Sequence, residues 1–117
     1  MAVTKKELLE FCETLGPIYE NTPFAKMEKD KKEPTVAIRH LRNKKIFCYW
    51  SLKGDGEYKI ALKLAPERGE MLREEFEAIT PAYHMNKTHW SDIKLDQDAP
   101  DELIFKLIEE SYELTKK

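Results

Sequence analysis

Apolar residues recur along this chain with two different periods, and the switches between them mark out its elements. Thr4 and Glu7 form a capping-box pattern ahead of Leu8, Phe11, Cys12 and Leu15 at helical spacing, and Gly16-Pro17 stops the run. A first amphipathic helix is therefore expected. Residues 16–34 mix Pro, Asn and Thr with the charged run Lys29-Asp30-Lys31-Lys32-Glu33, which reads as a connection holding one short strand near Phe24 to Met27. From Thr35 the period becomes two. Thr35 to Leu41, Lys45 to Leu52 and Glu57 to Leu64 are β-branched and aromatic segments, separated by Arg42-Asn43-Lys44 and by Gly54-Asp55-Gly56. They spell a three-stranded antiparallel meander. In its third strand Tyr58, Ile60, Leu62 and Leu64 point one way and Lys59, Ala61 and Lys63 the other. One face is core, and the other is basic and open or thinly covered.

Pro66 suits a helix's first turn, Glu67 and Glu70 suit its positive end, and Met71, Leu72 and Phe76 give it a buried stripe ending near Ile79. After Thr80-Pro81-Ala82-Tyr83 comes a polar and aromatic segment, His84 to Trp90, leading into an alternating strand from Ser91 to Leu95. Pro100-Asp101-Glu102 opens a terminal helix whose packing face is Leu103, Ile104, Leu107, Ile108, Ser111 and Tyr112. Helices bracketing an antiparallel meander make an α+β two-layer sandwich: an antiparallel sheet, the meander plus a further strand, covered on one face by helices.

A chain of 117 residues suffices for one domain, here 1–117, and 41% apolar with 36% charged residues describes a globule with a heavily solvated surface. The longest apolar runs, such as Ile46 to Trp50, fall far short of the ~20 residues of a membrane span, and the N-terminus has no signal-like apolar stretch. A cytoplasmic monomer with no membrane contact is expected. Cys12 and Cys48 lie in apolar patterns, where buried reduced thiols are the commonest arrangement. The net charge of −2 conceals a segregation. Between Lys26 and Lys63 there are eleven Lys or Arg against five Asp or Glu, so the rest of the chain is strongly acidic. A surface sorted in this way can steer an anionic partner locally.

Two segments carry candidate chemistry. Arg39, Arg42, Lys44, Lys45, Lys53, Lys59 and Lys63 lie on or between the meander hairpins with Phe47, Tyr49 and Trp50 interleaved, a mixture that could contact phosphates and stack on bases. Lysines on exposed strands also guard edges against aggregation. His84, Asn86, His89 and Trp90, with Met85 and Lys87 between them, form the second candidate, a recognition patch at a strand entrance. Its alternative is structural: Trp90 and Met85 plug the core while the polar side chains pin the preceding loop. A metal site is not expected there, since two histidines five apart without further ligands fall short of a Zn set. Glu7, Glu10 and Glu13, and Glu109, Glu110 and Glu113, could bind hard cations weakly, but Lys5, Lys6 and Lys106 interrupt them and a solvated helix face explains them better. No Gly-x-Ser-x-Gly, His-Glu-x-x-His, Cys-x-x-Cys or Gly-rich phosphate loop is present. Neither catalysis nor a cofactor is expected.

The run Pro81-Ala82-Tyr83-His84-Met85-Asn86-Lys87-Thr88-His89-Trp90, followed by a strand, Pro100-Asp101-Glu102-Leu103 and Ile108-Glu109-Glu110-Ser111-Tyr112-Glu113-Leu114, resembles the MmcQ/YjbR family. The resemblance is close over the second half, including Lys63 and Pro66, and covers the first half by element order. It implies a compact fold like that of the bacterial frataxin homologue and a DNA-binding role through a double-wing arrangement of hairpins. The negative net charge departs from the basic balance usual in such domains. The expected function is weak, salt-dependent, non-catalytic nucleic-acid binding, with Arg39, Arg42, Lys44, Lys45, Lys59, Lys63 and Lys87 on phosphates. The alternative is a protein-interaction or small-ligand module with a pocket at His84 to Trp90, between the last strand and the helices.

Overall fold

A computed structural model describes residues 3–29, 33–52, 57–82, 85–95 and 97–117. Helix α1 (Lys5–Leu15) starts at Thr4, whose hydroxyl accepts from Glu7 N–H while the Glu7 carboxylate accepts from Thr4 N–H, closing the capping box. Six strands follow in one antiparallel sheet: β1 (Ile18–Asn21), β2 (Val36–His40), β3 (Ile46–Leu52), β4 (Tyr58–Lys63), β5 (Ile79–Pro81) and β6 (Trp90–Lys94), in the spatial order β1-β2-β3-β4-β6-β5. Helix α2 (Pro66–Glu75) connects β4 to β5, and α3 (Asp101–Thr115) follows β6.

Cross-strand partners share a face. Val36, Trp50, Ile60, Ile93 and Ile79 form one row and Ile38, Cys48, Leu62 and Ser91 another, all buried. Onto these rows α1 sets Leu8 and Cys12, and α3 sets Ile104, Leu107, Ile108, Ser111 and Tyr112. Burying a side chain such as Leu8 or Ile38 stabilises the fold by about 1.5–3 kcal/mol, and this apolar stripe is what holds the two layers together. Helix α2 lies on the same side. Arg73 Nη1 donates to Ser91 Oγ at 3.0 Å, and the Arg68 guanidinium holds Glu110 of α3 through two 3.2 Å bonds. The two-layer sandwich is thus as expected, with every helix on one face of the sheet.

A bulge interrupts the β2–β3 ladder: Ile38 faces Cys48, but Arg39 faces Ile46. The extra residue, Phe47, is buried with Cys48 and packs against His40 and Tyr112. Gly16 is needed where the chain leaves α1, since a Cβ there would collide with the Tyr112 hydroxyl.

Three expectations change. The short strand before the meander is Ile18–Asn21, directly after Pro17, whereas Phe24 to Met27 is a turn closed by Met27 N–H and Glu28 N–H donating to Phe24 C=O. Ile18 and Tyr19 are the better strand formers, and the ladder with β2 was not visible in their short run. Helix α2 stops at Glu75 rather than near Ile79, because Phe76 is extended and the Asp98 carboxylate takes the Glu77 and Ala78 N–H groups, turning the chain into the edge strand β5. Pro81 is tolerated at that edge, where no ladder donor is required of it. Met71 is 64% exposed, because this short helix packs only the narrow stripe containing Gly69 and Leu72.

Candidate functional site

Strand alternation assigns the other face of the sheet, which none of the three helices among the described residues covers. Facing away from the helices are Tyr19 and Asn21 on β1, Ala37 and Arg39 on β2, Tyr49 and Ser51 on β3, Lys59, Ala61 and Lys63 on β4, Trp90, Asp92 and Lys94 on β6, and Thr80 on β5. At its centre the Tyr49 and Trp90 rings meet edge to face with centroids 5.7 Å apart. They lie on strands separated by β4, and Ala61, the residue opposite Tyr49, is small enough to let the rings close over it. The two candidate segments read from the sequence are therefore parts of one surface. Trp90 neither plugs the core nor lines a pocket between the last strand and the helices, because its register with Lys63 sets it on the helix-free side, half-buried against Tyr49.

The charges on this face are predominantly positive. Its strand residues carry Arg39, Lys59, Lys63 and Lys94 against one carboxylate, Asp92, whose Oδ2 is 2.9 Å from Lys59 Nζ. The three helices carry twelve acidic against five basic side chains. The charge asymmetry along the chain thus becomes an asymmetry between layers. Arg39 is anchored by Nε donating to Asn21 Oδ1 at 3.0 Å and Nη1 to Lys44 C=O at 3.1 Å. Burial raises the Tyr49 phenol above its ordinary pKa, and the Arg39 charge partly opposes this, so that cation lies within electrostatic reach of the ring. Lys63 stands beside Trp90 across the ladder, and its amine has no partner among the described residues.

The remaining predicted cations are distributed differently. The β2–β3 turn, with Lys44 at φ 64°, folds back onto the end of α3 rather than projecting as a wing. Asn43 Nδ2 donates to Thr115 C=O at 3.0 Å, and Lys45 Nζ donates to the Lys117 backbone oxygen at 2.6 Å. Lys45 thereby complements the negative end of that helix. Arg42 and Lys44 remain exposed on the turn, at the same end of the sheet as Lys63 and Trp90. Lys53 of the other hairpin lies outside the described residues, as do Tyr83 and His84.

Asn86 and His89 hold the chain that delivers Trp90. Asn86 Oδ1 accepts from Thr88 N–H at 3.0 Å, and its carbonyl accepts from His89 and Trp90 N–H. The His89 carbonyl takes Leu64 N–H at 2.7 Å, fastening this loop to the end of β4. Lys87 is exposed on the loop. In the predicted patch, then, Trp90 faces the open surface, while the described bonds of Asn86 and His89 are with neighbouring backbone.

Away from the face, His40 is 3% exposed and lies between β2 and α3, with Nε2 2.7 Å from Thr115 Oγ1. Thr115 Oγ1 donates to Ser111 C=O at 2.8 Å, which makes His40 Nε2–H the donor to Thr115. Burial lowers the His40 pKa, the bond to the Tyr112 backbone raises it, Lys45 lowers it and Glu113 raises it. Cys12 and Cys48 are both buried and unpaired. Burial raises the Cys12 thiol to about 12 and the Cys48 thiol well above its ordinary value. Neither is a nucleophile at neutral pH. Among the described residues no three His, Cys, Asp or Glu side chains are grouped to hold a metal ion, and no helix is long and apolar enough to cross a membrane.

A model of the YjbR family matches residues 16–114, a span that includes every strand, α2 and nearly all of α3. The Bacillus subtilis (strain 168) protein YyaQ is 41% identical over 96 residues, covering 74% of this chain and 80% of that protein. The Escherichia coli (strain K12) protein YjbR is 41% identical over 54 residues, 46% of each chain, so the likeness spans about half of that relative's length. Among solved structures, the Deinococcus radiodurans protein DR2400, of the DUF419 domain type, superimposes with a TM-score of 0.80 at 31% identity, over 97% of this chain and 79% of its own. A Pseudomonas syringae protein does so with a TM-score of 0.77 at 28% identity, over 97% and 99%. Because the match takes in the entire sheet, with the open face and the loop that delivers Trp90, this chain is a member of the YjbR family.

Proposed function

We propose that the helix-free sheet face binds single-stranded nucleic acid, non-catalytically, with Tyr49 and Trp90 as the stacking platform and Arg39 and Lys63 on phosphates. The observation that carries this reading is the pair of half-buried rings meeting 5.7 Å apart above Ala61, on a face whose one strand carboxylate is already ion-paired with Lys59. Unstacked bases offer a flat π-face to such rings, whereas a duplex keeps its bases stacked inside. The inward-folded β2–β3 turn favours this geometry over a pair of projecting wings. With the acidic side chains collected on the helices, the backbone of a bound strand runs over the cationic layer and away from the repelling one. In this reading Arg42, Lys44 and Lys87 extend the cationic end of the face, and the protein works as a monomer in a reducing cytoplasm where Cys12 and Cys48 stay as thiols.

Fluorescence anisotropy of a labelled oligothymidylate, and of a duplex of equal length, at low and near-physiological salt tests the proposal. The expected result is micromolar or weaker binding that prefers the single strand and weakens with salt. Tyr49→Ala and Trp90→Ala should each lose ~1–3 kcal/mol of binding free energy. Equal affinity for duplex and single strand, or a Trp90→Ala variant that binds like the parent, overturns it.

A further inference from the structure

The Tyr49 ring is already occupied on one side. Phe24, from the loop between β1 and β2, lies over it with nearly parallel planes, 20° apart, and centroids 6.3 Å apart. That separation is at the long end of the range for stacked rings, so the contact is a loose one. Phe24 sits at the surface of the molecule. Residues 22–27 are all exposed, Phe24 itself is 37% exposed, and Met27 beside it is 77% exposed. The loop is nonetheless ordered as a unit. Thr22 C=O accepts from Ala25 N–H, and Phe24 C=O accepts from Met27 and Glu28 N–H. Both of its ends are fixed: Asn21 pairs with Ala37 in the sheet, and the Glu28 carboxylate receives Thr35 N–H at 2.8 Å and the Thr35 hydroxyl at 2.6 Å. This is a small, internally bonded segment between two anchors that carries one ring across a stacking surface.

We infer that Phe24 is a displaceable cover, occupying in the free protein the Tyr49 ring face that a nucleobase takes in the complex. The inference rests on the nucleic-acid reading of the face and adds the order of events: the loop spanning 22–27 swings off Tyr49, pivoting between Asn21 and Glu28, and a base replaces the phenyl ring. Base and phenyl ring offer comparable stacking, so the exchange needs only modest help from the phosphate contacts of Arg39 and Lys63. Removing the cover should strengthen binding, whereas a ring that itself stacks on the ligand would weaken binding when removed.

The test is oligothymidylate anisotropy on the full chain, its Phe24→Ala and Tyr49→Ala variants and the double variant, with circular dichroism to show that each is folded. Phe24→Ala should bind about two- to tenfold more tightly than the parent, and the gain should vanish in the Tyr49→Ala background, where no ring face is left to uncover. If the parent binds but Phe24→Ala binds equally or more weakly, the cover is overturned while the nucleic-acid reading stands. If only Phe24→Ala binds, the cover is supported and the free protein is closed. If neither binds at low salt, the nucleic-acid reading fails and the cover fails with it.

Discussion

The hydroxyl of Ser111 stands where Lys63 and its neighbour on β3 would otherwise meet: it accepts from Lys63 N–H at 2.9 Å and donates to Phe47 C=O at 2.5 Å. The β3–β4 ladder ends at the Cys48–Leu62 pair, and beyond it a helix side chain completes the bonding of the next two backbone groups. One serine thereby ties α3 to two strands and fixes the backbone beneath the Lys63 amine. Ser111→Ala should orphan the buried Phe47 carbonyl and the part-buried Lys63 N–H and cost about 2–4 kcal/mol, read as a lower urea midpoint with unchanged m. A loss below half a kcal/mol would mean that the ladder closes directly without the hydroxyl.

Histidine 40 makes stability depend on pH. Its folded pKa lies below the ordinary value, chiefly because burial disfavours the imidazolium. Below about pH 6.5 the unfolded chain takes up a proton that the folded protein refuses. Stability is therefore full above that pH and is lost as pH falls towards the folded pKa. Urea melts at about pH 7.5 and about pH 5.5 should show this fall in the parent and a flatter profile in His40→Gln. An identical slope in both would assign the fall to other groups.

The two thiols should be silent in the native state. Cys12 and Cys48 are fully buried and held protonated. An aromatic disulfide reagent should titrate neither in the folded protein and both after guanidinium unfolding. A rapid native reaction would require an opening that exposes the α1–β3 contact.

If Arg39 and Lys63 contact phosphate, each releases a counterion on binding. Arg39→Gln and Lys63→Gln should each lower the slope of log affinity against log salt by about 0.7, the value for single strands. Lys45→Gln should leave the slope unchanged, because that amine is spent on the end of α3. A slope that responds to Lys45 and ignores Lys63 would move the interface to the turn.

Thr4→Ala should destabilise the protein by ~1 kcal/mol, since it removes the hydroxyl that accepts Glu7 N–H and opens the capping box. Glu7→Ala should show part of the same loss, since it frees Thr4 N–H, and the double variant should cost less than the two singles combined. Strict additivity would show that the two halves of the box act independently.

The sequence by itself determined whatever depends on spacing and local chemistry. The Thr4 cap, the alternation of Tyr58 to Leu64, Pro66 and Pro100 at helix starts, and the buried cysteines follow from periods of 3.6 and 2 and from which residues can begin or stop an element. So did the basic character of one sheet face, because alternation fixes the side to which Lys59 and Lys63 point. Strands as short as Ile18–Asn21 and Ile79–Pro81 were not legible, since they carry too few residues to show a period and exist through ladders with β2 and β6. The candidate site divided in the same way. Its residue types were visible as two separate segments, but Tyr49 and Trp90 are forty-one positions apart, and only the insertion of β6 beside β4 brings their rings together. Tertiary structure alone decided that Lys45 serves a helix end, that Lys59 is paired with Asp92, and that Phe24 lies over Tyr49. Each of these depends on which strands become neighbours, a long-range pairing that burial of the common core selects and that no local window of sequence contains.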